Sequence, residues 1–331
     1  NSGVSFSFGV SIGENGSPVT KAFADQPGNN IKHLYVAAFD AAGYLLDYEE
    51  ATCEDGHPDK NGTWGTNTKK YSVNLVNVPK TEPVYLHFIA NGPESIEFGA
   101  QESVIVQMTT YLSPESGKLG PDAYWARVSL DKLCDSDAKD APLTTVAQNA
   151  LADVGLIRNF LEFNIKSSAN GGIGKGEFVL ERVVIANIPD RGYLAPYNRT
   201  TSQFMEDYYG SGMTVEALTS QNYTAAVPAS ATYSFSDVIS ASNGNAVAFM
   251  YERELDKVNP TCILVGGDYT SSTGDTTYDC WYKINLQDSK GDYFPLFRNF
   301  KYSVNIFSVE TPGVTAATEA STKNIYKIFL I

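Results

Sequence analysis

Apolar residues alternate with polar residues in short runs along most of this chain. The run nearest the N-terminus is the most regular, with an apolar residue at every second position: Val4, Phe6, Phe8, Val10 and Ile12. A period of two places alternate side chains on opposite faces of a β-strand, so that one face is buried and the other is wet. This period predicts packed β-sheets, because an amphipathic helix needs apolar residues three and four positions apart.

Further strand-like runs follow, separated by turns rich in Gly, Pro and Asn. They cover His33–Glu50 (a hairpin), Tyr71–Val78, Val84–Pro93, Ser103–Tyr111, Ala123–Leu130, Leu156–Ile165, Glu177–Pro196, Thr232–Val238, Ala246–Glu254, Thr261–Tyr269, Asp279–Leu286, Leu296–Ile306 and Asn324–Ile331. The best helix candidate is Leu143–Val154, where Ala and Leu recur at helical spacing.

A chain of 331 residues is too long for one small core. The sequence becomes polar and loop-like after about residue 198 and stays so to about Ser230. We therefore predict an all-β protein with few short helices, built from two tandem, mostly antiparallel β-sandwich domains. The first spans residues 1–198 and the second spans residues 199–331.

Two phrases recur within the chain. LIRNFLEFNI at Leu156–Ile165 resembles LFRNFKYSVNI at Leu296–Ile306, and we interpret the pair as equivalent strands of two related sandwiches. FIANGP at Phe88–Pro93 resembles VIANIP at Val184–Pro189, and in each the strand should stop before the proline because Pro cannot donate to a sheet.

Charge and hydropathy exclude several classes of function. The net charge is −14, which argues against nucleic-acid binding and against a membrane contact driven by charge. No apolar run approaches the ~18 residues of a membrane-spanning helix. The chain begins at Asn1 with strand-like sequence, and we expect further residues upstream.

No catalytic or metal-binding motif is evident. The sequence has no nucleophile elbow, zinc-protease motif, phosphate-binding loop or calcium loop, so we predict neither enzyme activity nor a cofactor. Trp64, Trp125 and Trp281 could form a sugar-stacking surface, although core packing explains strand tryptophans better. The histidines are scattered singly, as expected of structural residues. Cys262 and Cys280 lie on neighbouring predicted strands and could form a disulfide, which sequence alone does not decide.

Both ends of the chain carry an apolar strand, and an unpaired apolar strand is an aggregation hazard. In the simpler interpretation each strand completes the sheet of its own domain. In the alternative interpretation one end is exchanged between molecules by β-strand addition.

The phrases HLYVAAFDAAGYLL, VYLHFIANGP, VVIANIPDRGYLAP and YFPLFRNFKYSVNIFSV, in this order, resemble the fimbrillins of Bacteroidales, the type V pilins with their tip and anchor subunits. The resemblance runs from about Val4 to Ala320. It implies two transthyretin-like sandwiches and export as a lipoprotein to the outer membrane, with a lipid anchor upstream rather than a membrane span. It also implies partners that are other fimbrial subunits, and a host or bacterial ligand for adhesion.

In that family a trypsin-like protease removes the N-terminal strand of a stalk subunit, and a neighbouring subunit donates a strand in its place. Carried over to this chain, the displaced strand is Val4–Ile12 and the candidate cleavage residues are Lys21 and Lys32. The first arginine is Arg127, so this chain departs from the arginine site of the best-known members. The donor would be the segment 324–331, with apolar residues Ile325, Tyr326, Ile328, Phe329, Leu330 and Ile331.

The resemblance thus predicts a structural or adhesive subunit of a type V fimbria at the outer cell surface. The alternative is a non-catalytic surface lipoprotein that binds carbohydrate through a β-sandwich.

Overall fold

The computed structural model describes residues 3–12, 31–54, 69–172, 175–208, 213–288 and 290–323. Strands dominate and the helices are few and short, so the all-β prediction is confirmed. The chain divides into two compact units, each built from two segments. Unit 1 comprises residues 1–159 and 191–224, and unit 2 comprises residues 160–190 and 225–331.

The first nine strands belong to unit 1, and they are β1 (Val4–Ile12), β2 (Leu34–Asp40), β3 (Leu45–Glu50), β4 (Thr52–Cys53), β5 (Lys69–Leu75), β6 (Val84–Ala90), β7 (Thr109–Tyr111), β8 (Tyr124–Leu130) and β9 (Val154–Arg158). Unit 2 begins with β10 (Phe160–Ser167), β11 (Asn170–Gly172), β12 (Lys175–Ala186) and β13 (Ile188–Pro189). The chain then returns to unit 1 for β14 (Arg191–Tyr193), β15 (Tyr197–Asn198) and β16 (Gln203–Phe204).

The remaining strands belong to unit 2, and they are β17 (Tyr233–Ser234), β18 (Ile239–Ser240), β19 (Asn245–Tyr251), β20 (Cys262–Thr270), β21 (Thr276–Asn285) and β22 (Lys301–Ile306). The helices are α1 (Ser103–Gln107), α2 (Thr145–Leu151), α3 (Val215–Ser220) and α4 (Ala317–Thr322), with one 3-10 turn at Glu206–Tyr208.

Eight strands of unit 1 form one sheet in the order β3-β2-β6-β8-β9-β1-β5-β4. The sheet folds over on itself, because the ring of Phe8 on β1 lies 4.9 Å from the ring of Phe88 on β6, measured between centroids. Phe8 also stacks on Tyr71 of β5. The inner faces of the two halves therefore form the core of unit 1, where these side chains are buried.

The outer face of strands β2, β6 and β8 is rich in aromatic side chains. Cross-strand pairing aligns Ala37, His87 and Arg127 on this face, with Phe39 and Trp125 as neighbours. Residues preceding α1 and residues of β16 and the 3-10 turn cover it, as their contacts with His87 and Arg127 show. This covered face contains the polar cluster described below.

Unit 2 contains a three-stranded sheet, β19-β10-β22, and a five-stranded sheet in which β11, β12, β20 and β21 are consecutive and β18 pairs with β12. Helix α4 packs through Ala320 on Trp281, Cys262 and Leu264, which belong to the second sheet. Among the strands that the structure describes, pairing is antiparallel except for β1 with β9 and β10 with β22.

The predicted number of domains matches the two units, but the division of the chain is different. Residues 160–190, which we placed in the first domain, belong to unit 2, because β10 pairs with β19 and β22 and β12 pairs with β20. The chain then returns to unit 1 and leaves it again at residue 225. The single boundary at residues 198 and 199 is therefore corrected.

The first repeated phrase does not mark equivalent strands of two domains. The C-terminal parts of the two copies lie in strands β10 and β22, which are parallel neighbours in one sheet of unit 2, with Phe163 opposite Tyr302. The backbone N–H of Asn299 donates to the carbonyl of Phe160, at 2.8 Å, beside the two Arg-Asn-Phe tripeptides. That interpretation was wrong, since β10 and β22 belong to one sheet of the same unit.

The second repeated phrase does mark equivalent positions. Strand β6 of unit 1 ends at Ala90 and β12 of unit 2 ends at Ala186. The next residues, Asn91 and Asn187, both have a left-handed backbone, with φ of 51° and 59°. Asparagine tolerates this conformation better than most side chains, which explains its place at both strand ends.

One predicted strand and the predicted helix can also be compared with the structure. Ser103–Tyr111 was expected to be a strand, but its first half forms α1 and only Thr109–Tyr111 is extended, so that prediction is corrected. Helix α2 lies within the predicted Leu143–Val154, and Thr144 caps it by accepting a hydrogen bond from the backbone N–H of Ala147.

Candidate functional site

The first candidate site is strand β1 itself. It lies inside the sheet of unit 1, antiparallel to β5 over seven residue pairs and parallel to β9 over three. The side chains of Val4, Phe6, Phe8 and Val10 are buried. Ile12 lies opposite Leu156 of β9. The N-terminal strand is therefore a central strand with one apolar face in the core.

Of the two candidate cleavage residues, the structure describes only Lys32. Its side chain is exposed, but its backbone N–H donates to the side-chain oxygen of Asn91 at 2.8 Å, and the N–H of His33 reaches the same oxygen at 3.3 Å. The preceding residue, Ile31, is buried. A protease needs an extended, free backbone, so the peptide after Lys32 is a poor substrate in the folded protein.

Lys21 and the candidate donor segment 324–331 lie outside the described residues.

A buried polar cluster on the outer face of unit 1 was missed by sequence reasoning. His87 is fully buried, and its Nε2 lies 2.7 Å from a carboxylate oxygen of Glu102. The indole N–H of Trp125 donates to Nδ1 of His87 at 2.9 Å. Because an indole only donates, Nδ1 must accept, and the ring proton of neutral His87 is on Nε2, facing Glu102.

Arginine completes the cluster. Arg127 Nε donates to Glu102 at 2.7 Å, and Arg127 also forms an ion pair with Glu206. Its guanidinium lies over the ring of Tyr85, 4.1 Å from the centroid. Four segments that are distant in sequence thereby share one hydrogen-bonded network, which fixes the covering layer to the sheet.

Burial and the neighbouring Arg127 lower the pKa of His87 from 6.5 to about 4, although Glu102 opposes the shift. Burial would by itself raise the pKa of Glu102, but hydrogen bonds from His87 and Arg127 reverse this, so its pKa lies below the usual value. At neutral pH the cluster thus contains a neutral imidazole, an ionised carboxylate and a guanidinium.

The other residues singled out from the sequence do not form a site together. Trp125 and Trp281 are buried, which is the core role that we favoured for strand tryptophans, and Trp64 lies outside the described residues. Cys262 and Cys280 are free thiols on adjacent strands, opposite Asn285 and Gly267 respectively. Five positions of β21 separate Cys280 from the partner of Cys262, which is too far for the considered disulfide.

Two general searches of the described part of the chain gave negative results. No group of three or more His, Cys, Asp or Glu side chains there could hold a metal ion. Among the helices that the structure describes, none is long and apolar enough to cross a membrane.

Comparison with known proteins gave similarities at the level of structure. No protein-family model and no curated protein matches the sequence. A candidate cell-adhesion protein from Parabacteroides distasonis superposes with a TM-score of 0.53 at 14% identity, covering 95% of this chain and 92% of the other.

Two further solved structures are similar to this chain. The tip fimbrial protein Mfa3 from Porphyromonas gingivalis, with a C-terminal truncation, gives a TM-score of 0.49 at 12% identity and covers 92% of this chain and 95% of its own. A fimbrial assembly protein from Parabacteroides distasonis gives 0.44 at 13% identity, covering 92% and 91%. At 14% identity, the likeness to the candidate cell-adhesion protein shows a shared fold, which the resemblance predicted.

Proposed function

We propose that this protein is a non-catalytic structural and adhesive subunit of a bacterial surface fimbria, assembled by donor-strand exchange. The observation that carries the proposal is the position of β1, a central strand with four buried apolar side chains at the very start of the described chain. The fold shared with a candidate cell-adhesion protein supports an adhesive role at the cell surface.

Loss of β1 would open a groove that another strand could fill. The backbone groups of β5 and β9 that pair with β1 would lose their partners, and the rings of Phe88 and Tyr71 would be uncovered. Unpaired backbone groups and exposed apolar surface are both unfavourable in water. A strand donated by a second subunit restores both, and head-to-tail contacts of this kind do not close, so a filament grows.

The residue pattern in the segment 324–331 indicates which face of the donated strand would enter the groove left by β1. Tyr326, Ile328 and Leu330 form one wholly apolar face, whereas Lys327 places a charge on the other. The buried positions of β1 also recur every second residue, so the Tyr326–Ile328–Leu330 face matches them. We propose that these three side chains fill three of the four positions of Val4, Phe6, Phe8 and Val10 in a neighbouring subunit.

Processing and anchoring belong to the same proposal. Cleavage after Lys21 would leave the contacts of Lys32 with Asn91 intact, so Lys21 is the better of the two candidates. Export as a lipoprotein anchored to the outer membrane rests on the fimbrillin resemblance, and fractionation of the producing cell tests it.

The experiment is limited trypsin digestion of the full chain, followed by mass spectrometry and an unboiled gel. We expect loss of the first ~20–30 residues and a ladder of resistant multimers, because tryptic loss of β1 opens the groove. Ile328→Asp should abolish the ladder, and Lys327→Asp, on the opposite face of the same segment, should retain it.

Release of the N-terminal segment without multimers in the unaltered chain would contradict assembly by strand exchange. Equal ladders from Ile328→Asp and Lys327→Asp would contradict the proposed donor face. Digestion of Lys21→Gln and Lys32→Gln variants separately identifies the residue at which the chain is cut.

A further inference from the structure

The layer that covers the outer face of β2, β6 and β8 leaves part of that face uncovered at one end of unit 1. It covers His87 and Trp125, but a cleft of about 1080 Å³ remains open beside Tyr35 and Tyr48. This volume lies just above the range of about 300–1,000 Å³ that is typical of ligand clefts in proteins.

One wall of the cleft is a ladder of three rings. His33 stacks on Tyr35 with 6.2 Å between ring centroids, and Tyr35 stacks on Tyr48 with 5.1 Å and an interplanar angle of 12°. More than half of the His33 side chain is exposed, whereas Tyr35 is 8% exposed. Rings held in this way present an ordered apolar surface at low cost in conformational entropy.

The opposite wall is formed by two loops, residues 91–95 and 114–122, that contain Pro93, Pro114 and Gly117. The first loop is fixed to the ring ladder, because the hydroxyl of Tyr48 donates to the carbonyl of Pro93 at 2.6 Å. Asn91 donates to the carbonyl of Asp122 at 2.8 Å and so ties the two loops together. The cleft is therefore held open by specific contacts in the folded chain.

Carboxylates from separate segments face the rings. Burial raises the pKa of Tyr35, and the charges of Glu50 on β3 and Glu94 on the loop raise it further. Glu50 also lies 2.7 Å from Nδ1 of His33. Two lysines, Lys32 and Lys118, also line the cleft, and Lys118 forms an ion pair with Glu115. The four carboxylates of the lining, those of Glu49, Glu50, Glu94 and Asp122, outnumber the lysines, so the cleft is negatively charged and disfavours anionic ligands.

We propose that this cleft binds a short, uncharged oligosaccharide. A sugar ring has an apolar face of C–H groups, which packs on the face of an aromatic ring, and hydroxyl groups, which suit carboxylates and imidazole as hydrogen-bond partners. His33, at the exposed end of the ring ladder, contacts the apolar face, while Glu50 and Glu94 accept hydrogen bonds from hydroxyls. The site needs neither tryptophan nor strand exchange, so it is independent of the proposed assembly.

The test is isothermal titration of the full, undigested chain with a panel of chito-, manno-, gluco- and lacto-oligosaccharides, alongside sialylated and uronic-acid oligosaccharides. We expect saturable binding of at least one neutral series and none of the acidic ones. Glu94→Gln and His33→Ala should each weaken that binding at least tenfold. Glu97→Gln, an exposed acid on the same loop that does not line the cleft, should leave it unchanged.

Near-ultraviolet circular dichroism of each variant distinguishes loss of binding from loss of folding. A folded Glu94→Gln variant that binds the oligosaccharide with unchanged affinity overturns the proposal. So does absence of binding across the neutral panel. Tighter binding of an acidic glycan, or of a lysine-rich peptide, would also overturn it, since either would assign the cleft to another class of ligand. Because the undigested chain is used, none of these outcomes depends on polymerisation.

Discussion

Strand β6 of unit 1 and strand β12 of unit 2 end in the same way, with Ala, then a left-handed Asn, then a Pro two residues later. In both units the side-chain amide of this Asn forms a hydrogen bond with the backbone just before the first residue of another strand. Asn91 accepts from the backbone of Lys32 ahead of β2 and donates to Asp122 ahead of β8. Asn187 donates to Pro260 ahead of β20.

The polar groups behind the two strand ends differ. Unit 1 has the cluster of His87, Glu102 and Arg127, which a histidine makes sensitive to pH. Unit 2 has the buried ion pair of Arg298 with Glu252, which are 1% and 3% exposed and joined at 2.8 Å. Both histidines that the structure describes, His33 and His87, belong to unit 1. Similar strand ends therefore coexist with two unlike electrostatic interiors, which predicts unlike responses to mutation and to acid.

The largest difference should come from removing one carboxylate in each unit. Glu252→Gln removes the counter-charge of a buried guanidinium and should destabilise unit 2 by ~3–5 kcal/mol. Glu102→Gln leaves Arg127 beside Glu206 and should cost unit 1 only ~1–2 kcal/mol. Urea unfolding read by methyl NMR signals of Ile89 and Ile185, on the equivalent strands, reports the two units separately. Equal shifts of the two signals would contradict the comparison.

Acid should produce a smaller difference in stability between the two units. The pKa of His87 is about 4 in the fold against an ordinary 6.5, so between these values the unfolded chain binds a proton that the folded chain does not. The stability contributed by neutral His87 is complete above pH 6.5 and is lost as pH falls to about 4, up to ~3 kcal/mol in unit 1. Urea unfolding at pH 7 and pH 4.5 should shift the midpoint for Ile89 more than that for Ile185. A larger loss at Ile185 would be the contrary result.

Replacing the two asparagines should destabilise the protein by different amounts, because their side chains make different numbers of hydrogen bonds. Glycine accepts the left-handed backbone, so Asn→Gly removes the amide without adding strain. Asn91→Gly loses contacts with Lys32, His33 and Asp122 and should cost ~2 kcal/mol, whereas Asn187→Gly loses the bond to Pro260 and should cost ~1 kcal/mol. The same urea titration measures both.

A second readout is specific to Asn91. The Asn91→Gly variant should also be cut by trypsin after Lys32 faster than the unaltered chain, and Asn187→Gly serves as the matched control. Unchanged cleavage in both variants would show that Asn91 does not protect that peptide.

The smallest effects should appear at the helix ends. Thr144 caps α2, but α4 begins after Ala316, which has the extended backbone of a cap residue and no side chain to make the bond. Thr144→Ala should destabilise unit 1 by ~1 kcal/mol, and Ala316→Ser should stabilise unit 2 by up to ~1 kcal/mol. Thermal unfolding of the two variants should shift in opposite directions, and shifts of the same sign would contradict this assignment.

The sequence by itself determined the local structure. A period of two identified β1, because side-chain direction in a strand depends only on neighbouring residues, and apolar runs bounded by turn residues identified β2 and β6. The Asn and Pro residues that follow β6 and β12 could be identified from the sequence for the same reason, and so could helix α2. The charge and the absence of motifs limited the functional classes, but no pattern in the sequence located the cleft or the His87 cluster.

The tertiary structure decided which strands share a sheet. Residues 160–190 read as part of the first domain until their pairing with β19, β20 and β22 placed them in unit 2, and the two Arg-Asn-Phe copies proved to be neighbours in space. Residues Ser103–Gln107 have a strand-like composition, yet they form a helix where Glu102 is bound by His87 and Arg127. Partner choice depends on burial and hydrogen bonding between residues far apart in the chain, which local periodicity does not encode.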